Sequence, residues 1–178
     1  MKFTYKVALS GMIMALCVIC MMATAIIPIG SFALPAIAGS FLVILSLEFG
    51  RKWALLVYLG AAIISTFVSP DHTATFTFIF LLGHYPITKG LIEEKCGKLL
   101  GWIVKILCLN TAIALGVLAT VLIFGVQYLL TEYTGFTAVT TAIFVVVCNI
   151  VFVIFDRALT KIILLVKIKF LPLLHKLR

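Results

Sequence analysis

Residues 81–95 read LLGHYPITKGLIEEK. An apolar run reaches His84, Tyr85 and Pro86 before it meets Lys89, Glu93, Glu94 and Lys95. A titratable ring inside the run needs a partner from elsewhere in the fold. An unsatisfied polar group in hydrocarbon costs several kcal/mol.

The chain around this stretch is of the same kind. Of its 178 residues, 64% are hydrophobic and only 11% charged, and the mean hydropathy is +1.29. Soluble domains average about 45–50% apolar and about 25% charged residues, so too few polar side chains are present to cover a water-facing surface. The composition predicts an integral membrane protein. Neither a Ser/Pro/Gly-rich linker nor an internal repeat divides the chain, which predicts one helical membrane domain over 1–178. The N-terminus begins with Lys2 and Lys6, as a signal peptide does. Its apolar run of about 22 residues exceeds an h-region of about 7–15, which predicts a retained first helix.

About 20 apolar residues span the hydrocarbon core as a helix. Six segments qualify: Val7–Ile29, Leu34–Phe49, Trp53–Ser69, Ala74–Leu91, Leu100–Leu130 and Phe136–Ala158. The second is short, and the fifth is long enough to tilt or project. Pro28 is expected to close the first helix, and Pro35 suits the first turn of the second. Lys and Arg favour cytoplasmic loops. With the N-terminus inside, all 14 Lys and Arg fall in or within a few residues of Met1–Lys6, Gly50–Lys52, Ile92–Lys98 and the tail after Ala158. The outer loops carry Asp71 and Glu132 and no basic residue. The expectation is therefore an all-α, six-span protein of the plasma membrane with both termini cytoplasmic. The net charge of +8 gathers at one membrane face and implies anionic lipid rather than nucleic acid. The tail KIILLVKIKFLPLLHKLR, 161–178, is expected to lie along that face as a basic amphipathic element.

The five cysteines fall in spans or an inner loop, so disulfides are not expected. Cys17-x-x-Cys20 has redox spacing, but the apolar helix around it favours packing. A rise of 1.5 Å per residue puts His84 about 15 Å down from Ala74, and Asn110 about 12 Å from Trp102. Asn149 lies at a similar depth to Asn110. His84, Asn110 and Asn149 are expected to form a buried polar layer in which at least two bond across helices. The layer is either interhelical glue or a proton relay or ligand-cavity floor. Pro86 should bend the fourth helix just after His84, where Gly83 admits a neighbouring helix. Lys89 with Glu93, Glu48 with Arg51 or Lys52, and Asp156 with Arg157 or Lys161 are expected as solvated pairs at the inner rim.

The outer side differs. Ser65, Thr66, Ser69, Asp71, His72, Thr73, Thr75 and Thr77 crowd one turn, and Gln127, Tyr128, Glu132, Tyr133, Thr134 and Thr137 another, with Thr140 and Thr141 just below. Donors, carboxylates and aromatic faces in one place suit a small polar ligand. Asp71, His72, Thr75, Gln127, Tyr128, Glu132, Tyr133 and Thr140 are the candidate ligand-binding residues. On the first helix, Ala8, Gly11 and Ala15 form a small-residue stripe for close packing, either within the bundle or against a partner.

This arrangement resembles the substrate-binding S component of an energy-coupling factor (ECF) vitamin transporter. The likeness rests on ALSGMIMALCVICMMATAIIPIG, 8–30, and LPAIAGSFLVILSLEFGRKWALLVYLGA, 34–61, together with six spans. The resemblance implies capture of a vitamin or related micronutrient from outside, without a cofactor. It also implies docking to an ECF transmembrane subunit driven by two cytoplasmic ATPases. The family's docking motif is usually alanines spaced by four; Gly11 and Ala15 match it, whereas Met12 stands where an alanine is expected after Ala8. The ligand residues of such proteins differ with the vitamin, so the resemblance implies no particular substrate.

Two other readings stand beside it. One is an ion- or proton-coupled carrier using His84 with Asp156 or Glu93, and the other a non-transporting scaffold or lipid-handling protein. Enzymatic activity is not expected. P-loop, H-E-x-x-H and G-x-S-x-G motifs are all absent from the sequence, and two carboxylates at one membrane depth are not expected.

Overall fold

The computed structural model describes residues 3–27, 30–132, 137–170 and 172. Among these all regular secondary structure is helical: an all-α, polytopic membrane protein. Five of its helices are long and apolar enough to cross a membrane.

Helices α1 (Phe3–Ala23), α2 (Gly30–Phe49) and α3 (Arg51–Val68) form the first half. Gly50, at φ 89°, makes the tight turn between α2 and α3, a conformation that glycine adopts without steric cost. Helix α2 begins four residues before the expected Leu34, so Pro35 sits inside it rather than in its first turn. Pro28 lies outside the described residues. At the far end of α1, Thr24 donates to the Met21 carbonyl at 2.7 Å and Ser69 reaches the same oxygen at 3.2 Å. One of the free carbonyls at the helix end is thereby answered twice.

The fourth expected span departs most from expectation. It is not one helix bent at Pro86. It runs as α4 (His72–Thr77), a wider π-type turn over Phe78–Leu82, and a separate helix α5 (Tyr85–Lys95) in which Pro86 sits in the first turn. Proline lacks the N–H that would bond the carbonyl four residues back, and its ring crowds that carbonyl; an existing helix breaks there, and a new one can start. Gly83 and His84 both keep right-handed backbone angles, so the chain goes on coiling through the break. Two neighbours press on it. A side chain at Gly39 of α2 would overlap the Leu82 carbonyl, and one at Gly83 would strike the Tyr58 ring of α3. The expected close approach at Gly83 is thus present.

Helix α6 (Lys98–Phe124) is long, as expected. Gly125, at φ 83°, ends it, and a short α7 (Val126–Glu132) follows. Helix α8 (Ala138–Leu165) passes straight through Ala158, and Val166–Phe170 continues it as π-type turns. Residues 161–170 of the basic tail are therefore an extension of the last span, not a separate element along the interface. The remainder, 171 and 173–178, lies outside the described residues.

Helix α2 is the centre of the packing. Leu42 and Leu45 face a core made with Ile13, Cys17 and Met21 of α1, Ala54, Tyr58 and Ala61 of α3, and Phe78. Val43 faces a second core made with Leu82, Tyr85, Leu109 of α6, and Phe152 and Leu159 of α8. Cys17 packs in the first core and donates its thiol to the Ala38 carbonyl of α2 at 3.2 Å, which is the packing role expected for it.

Candidate functional site

Two polar regions stand out at opposite ends of this bundle. The first is an open cleft of about 400 Å3 lined by Thr24, Ala25, Ser31, Pro70, Asp71, His72, Thr73 and Tyr128. Three separate chain segments build it: the end of α1 with the start of α2, the α3–α4 connection, and α7. Asp71 caps α4, its Oδ1 accepting from the Ala74 N–H at 3.1 Å. This fixes the α3–α4 turn. The His72 ring lies 4.7 Å from Phe124, which lies 5.0 Å from Tyr128, so Phe124 backs the two rings that line the cleft.

Of the candidate ligand residues, Asp71, His72 and Tyr128 meet in this cleft. Thr75 does not line it: it is buried and donates to the Asp71 carbonyl at 2.9 Å. Gln127 is exposed on α7. Thr140 lies in the first turn of α8, its N–H donating to Oγ1 of the capping Thr137 at 3.3 Å. Tyr133 and the Glu132 side chain lie outside the described residues. Sequence reasoning missed Thr24 and Ser31, which belong to the one turn that carries no charge.

The second region is a buried ion-pair network joining α5, α6 and α8. Lys89 is fully buried, and its ammonium contacts Asp156 Oδ1 at 2.5 Å, the Asp156 carbonyl at 2.6 Å and Thr160 Oγ1 at 2.7 Å. Tyr85 donates to Asp156 Oδ1 at 2.5 Å. Lys105 bridges Asp156 Oδ2 at 3.1 Å and Glu93 Oε1 at 2.6 Å. Outside this core, the Trp102 ring takes the Lys105 ammonium at 5.2 Å and the Arg157 guanidinium at 5.6 Å. The two buried ammonium groups are balanced by buried Asp156 and half-exposed Glu93, which is what lets their charge persist away from water.

This network corrects three expectations. Lys89 and Glu93 do lie near each other at 3.5 Å, but Lys89 belongs to a buried core rather than a solvated rim. Asp156 pairs with Lys89 and Lys105, not with Arg157 or Lys161. Glu93 and Asp156, expected at different depths, meet at one ammonium. The signal was present in sequence as Tyr85, Lys89 and Glu93, spaced by four on one helical face, with Lys105 and Asp156 inside expected spans. At the surface, Arg51 pairs with Glu94 at 2.6 Å. The Arg51 guanidinium holds the Glu94 carboxyl below its ordinary range.

The expected polar layer is partly assembled. Asn110 and Asn149 exchange hydrogen bonds at 3.3 and 3.4 Å, tying α6 to α8. His84 is not with them; it is half-buried, its ring 6.0 Å from Tyr58. Ala8, Gly11 and Ala15 all lie exposed on α1. The stripe therefore does not pack inside the bundle. A side chain at Gly11 would meet open space, beside an apolar groove lined by Val7, Ser10, Gly11, Met14, Trp53, Leu56 and Val57.

Compared with known proteins, the chain matches no family model, no curated protein and no solved structure.

Proposed function

We propose that this chain is the solute-capturing subunit of a membrane importer, similar to the S component of an ECF vitamin transporter. It would bind a vitamin or related small micronutrient from the extracellular side of the plasma membrane. The observation that carries the reading is one-sided openness. The end bearing Asp71, His72 and Tyr128 holds an open polar cleft, whereas the Lys- and Arg-bearing end is tied by the Lys89–Asp156–Lys105–Glu93 network. A solute can enter from one side and meets a closed bundle on the other.

The arrangement of α4 and α5 supports counting Ala74–Leu91 as a sixth crossing, with both termini on the cytoplasmic side. The outward-facing Ala8, Gly11 and Ala15 support docking to an ECF transmembrane subunit, with two cytoplasmic ATPases supplying the driving force. A carrier driven by His84 with Asp156 or Glu93 has less support: Tyr85, not His84, bonds Asp156, and every oxygen of that carboxylate already accepts from a donor.

Mass spectrometry of small molecules retained on the purified protein tests the reading. A polar metabolite recovered in near-stoichiometric amount is the expected result. Recovery of acyl chains alone would instead favour the lipid-handling scaffold.

A further inference from the structure

We infer that the cleft selects small organic cations carrying a flat or aromatic portion; this rests on the capture reading and names its substrate class. Three observations on the cleft point the same way. Asp71 supplies a carboxylate whose Oδ1 is fixed by the Ala74 N–H, while among the described residues Oδ2 accepts no hydrogen bond. The His72 and Tyr128 rings line the cleft, each packed on Phe124 at 4.7 and 5.0 Å. Ring faces attract cations, and the attraction grows as the pair is desolvated.

The third observation is the missing competitor. The sequence has no Lys or Arg between Lys6 and Arg51, between Lys52 and Lys89, or between Lys105 and Arg157. The segments lining the cleft fall within those three gaps, so no fixed lysine or arginine of these segments neutralises Asp71. An anion arriving there meets a carboxylate and, apart from the His72 imidazole, no basic side chain. A cation meets the carboxylate at short range, in a surrounding where Coulomb attraction is stronger than in water. Thr24 and Ser31 also line the cleft and add hydroxyl oxygens for the polar part of the solute, the Thr24 proton being donated to the Met21 carbonyl. The volume, about 400 Å3, lies at the small end of the range of about 300–1,000 Å3 for ligand pockets, which suits a metabolite rather than a peptide.

The test is calorimetric titration of the full chain in a neutral detergent with three probes of similar size: benzyltrimethylammonium, benzyl alcohol and benzoate. The expected result is binding of benzyltrimethylammonium alone. Asp71→Asn should weaken that binding about tenfold or more, a loss of at least about 1.4 kcal/mol. Asparagine caps a helix as well as aspartate does, so this variant keeps the α3–α4 turn. Tyr128→Leu, which leaves the charge in place, should also weaken the cation. Equal or tighter binding of benzoate or benzyl alcohol overturns the inference, as does an unchanged Kd in Asp71→Asn. Failure of all three probes, with an anionic or neutral metabolite retained on the purified protein, overturns the cation inference and leaves capture standing. Failure of all three with no retained metabolite overturns both.

Discussion

Asp156 answers to three donors from two other helices, and its removal strands two lysines at once. Breaking a buried ion pair by deleting one partner costs about 3–5 kcal/mol, while replacing both partners by apolar groups is often near neutral. Asp156→Leu should therefore destabilise the protein by about 3–5 kcal/mol in detergent unfolding. Lys89→Met should cost less, because Lys105 still holds the carboxylate. The double variant should cost clearly less than the sum of the two. Strict additivity would mean that the two residues do not act as a pair. Asn149→Leu should cost only about 0.6 kcal/mol, the average for a hydrogen bond between membrane helices. The surface pair Arg51–Glu94 should matter least. Its depressed Glu94 pKa makes the contribution present above the carboxyl's unfolded pKa and lost as pH falls through the folded one. Glu94→Gln should thus change stability slightly at neutral pH and not at all in strong acid. The asparagine pair was legible in sequence because an amide in an apolar run has few alternatives. The buried lysines were not, since a lysine near a helix end is more often solvated, and only the partner's position distinguishes the two cases.

The broken helix over residues 72–95 sets the geometry of both polar regions. Its first part, α4, starts at Asp71 in the cleft, and its second part, α5, carries Tyr85, Lys89 and Glu93 to the network. The break needs room, which Gly39 and Gly83 provide. Gly39→Ala would drive a methyl group into the Leu82 carbonyl and should cost about 1–3 kcal/mol, as overpacking does. Gly11→Leu, facing open space, should leave unfolding within about 0.5 kcal/mol of the parent. If the stripe docks a partner, the same variant should lose copurification with the ATPase-bearing assembly; retention of the partner would remove α1 as the docking face. Pro86 identified the irregularity in sequence, but not its form. Whether proline bends a helix or begins a new one depends on what packs beside it, here Gly39 and Tyr58. The extension of α8 beyond Ala158 was hidden for a related reason. Lys161, Lys167 and Lys169 read as an interfacial element, although long basic side chains can also reach water from a continuing helix.

The whole molecule is polarised along one axis, with ion pairs and basic residues at one end and an acidic, aromatic cleft at the other. This much of the organisation could be read from the spacing of charges, because lysine and arginine are confined to four short zones. The composition of the cleft was legible only in part. Asp71, His72 and Tyr128 come together there, whereas Thr75 and Thr140 serve their own helix starts, a use of threonine that sequence alone does not separate from ligand binding. Solute capture from outside requires the cleft to face the exterior and the network to face the cytoplasm. The direct measurement is labelling of single cysteines, placed at Thr73 or at Glu94 in a background lacking the five native ones, with a membrane-impermeant maleimide on intact cells. The cysteine at 73 should label on intact cells and the one at 94 only after permeabilisation. Labelling at 94 with protection at 73 would turn the cleft to the cytoplasm and contradict the account.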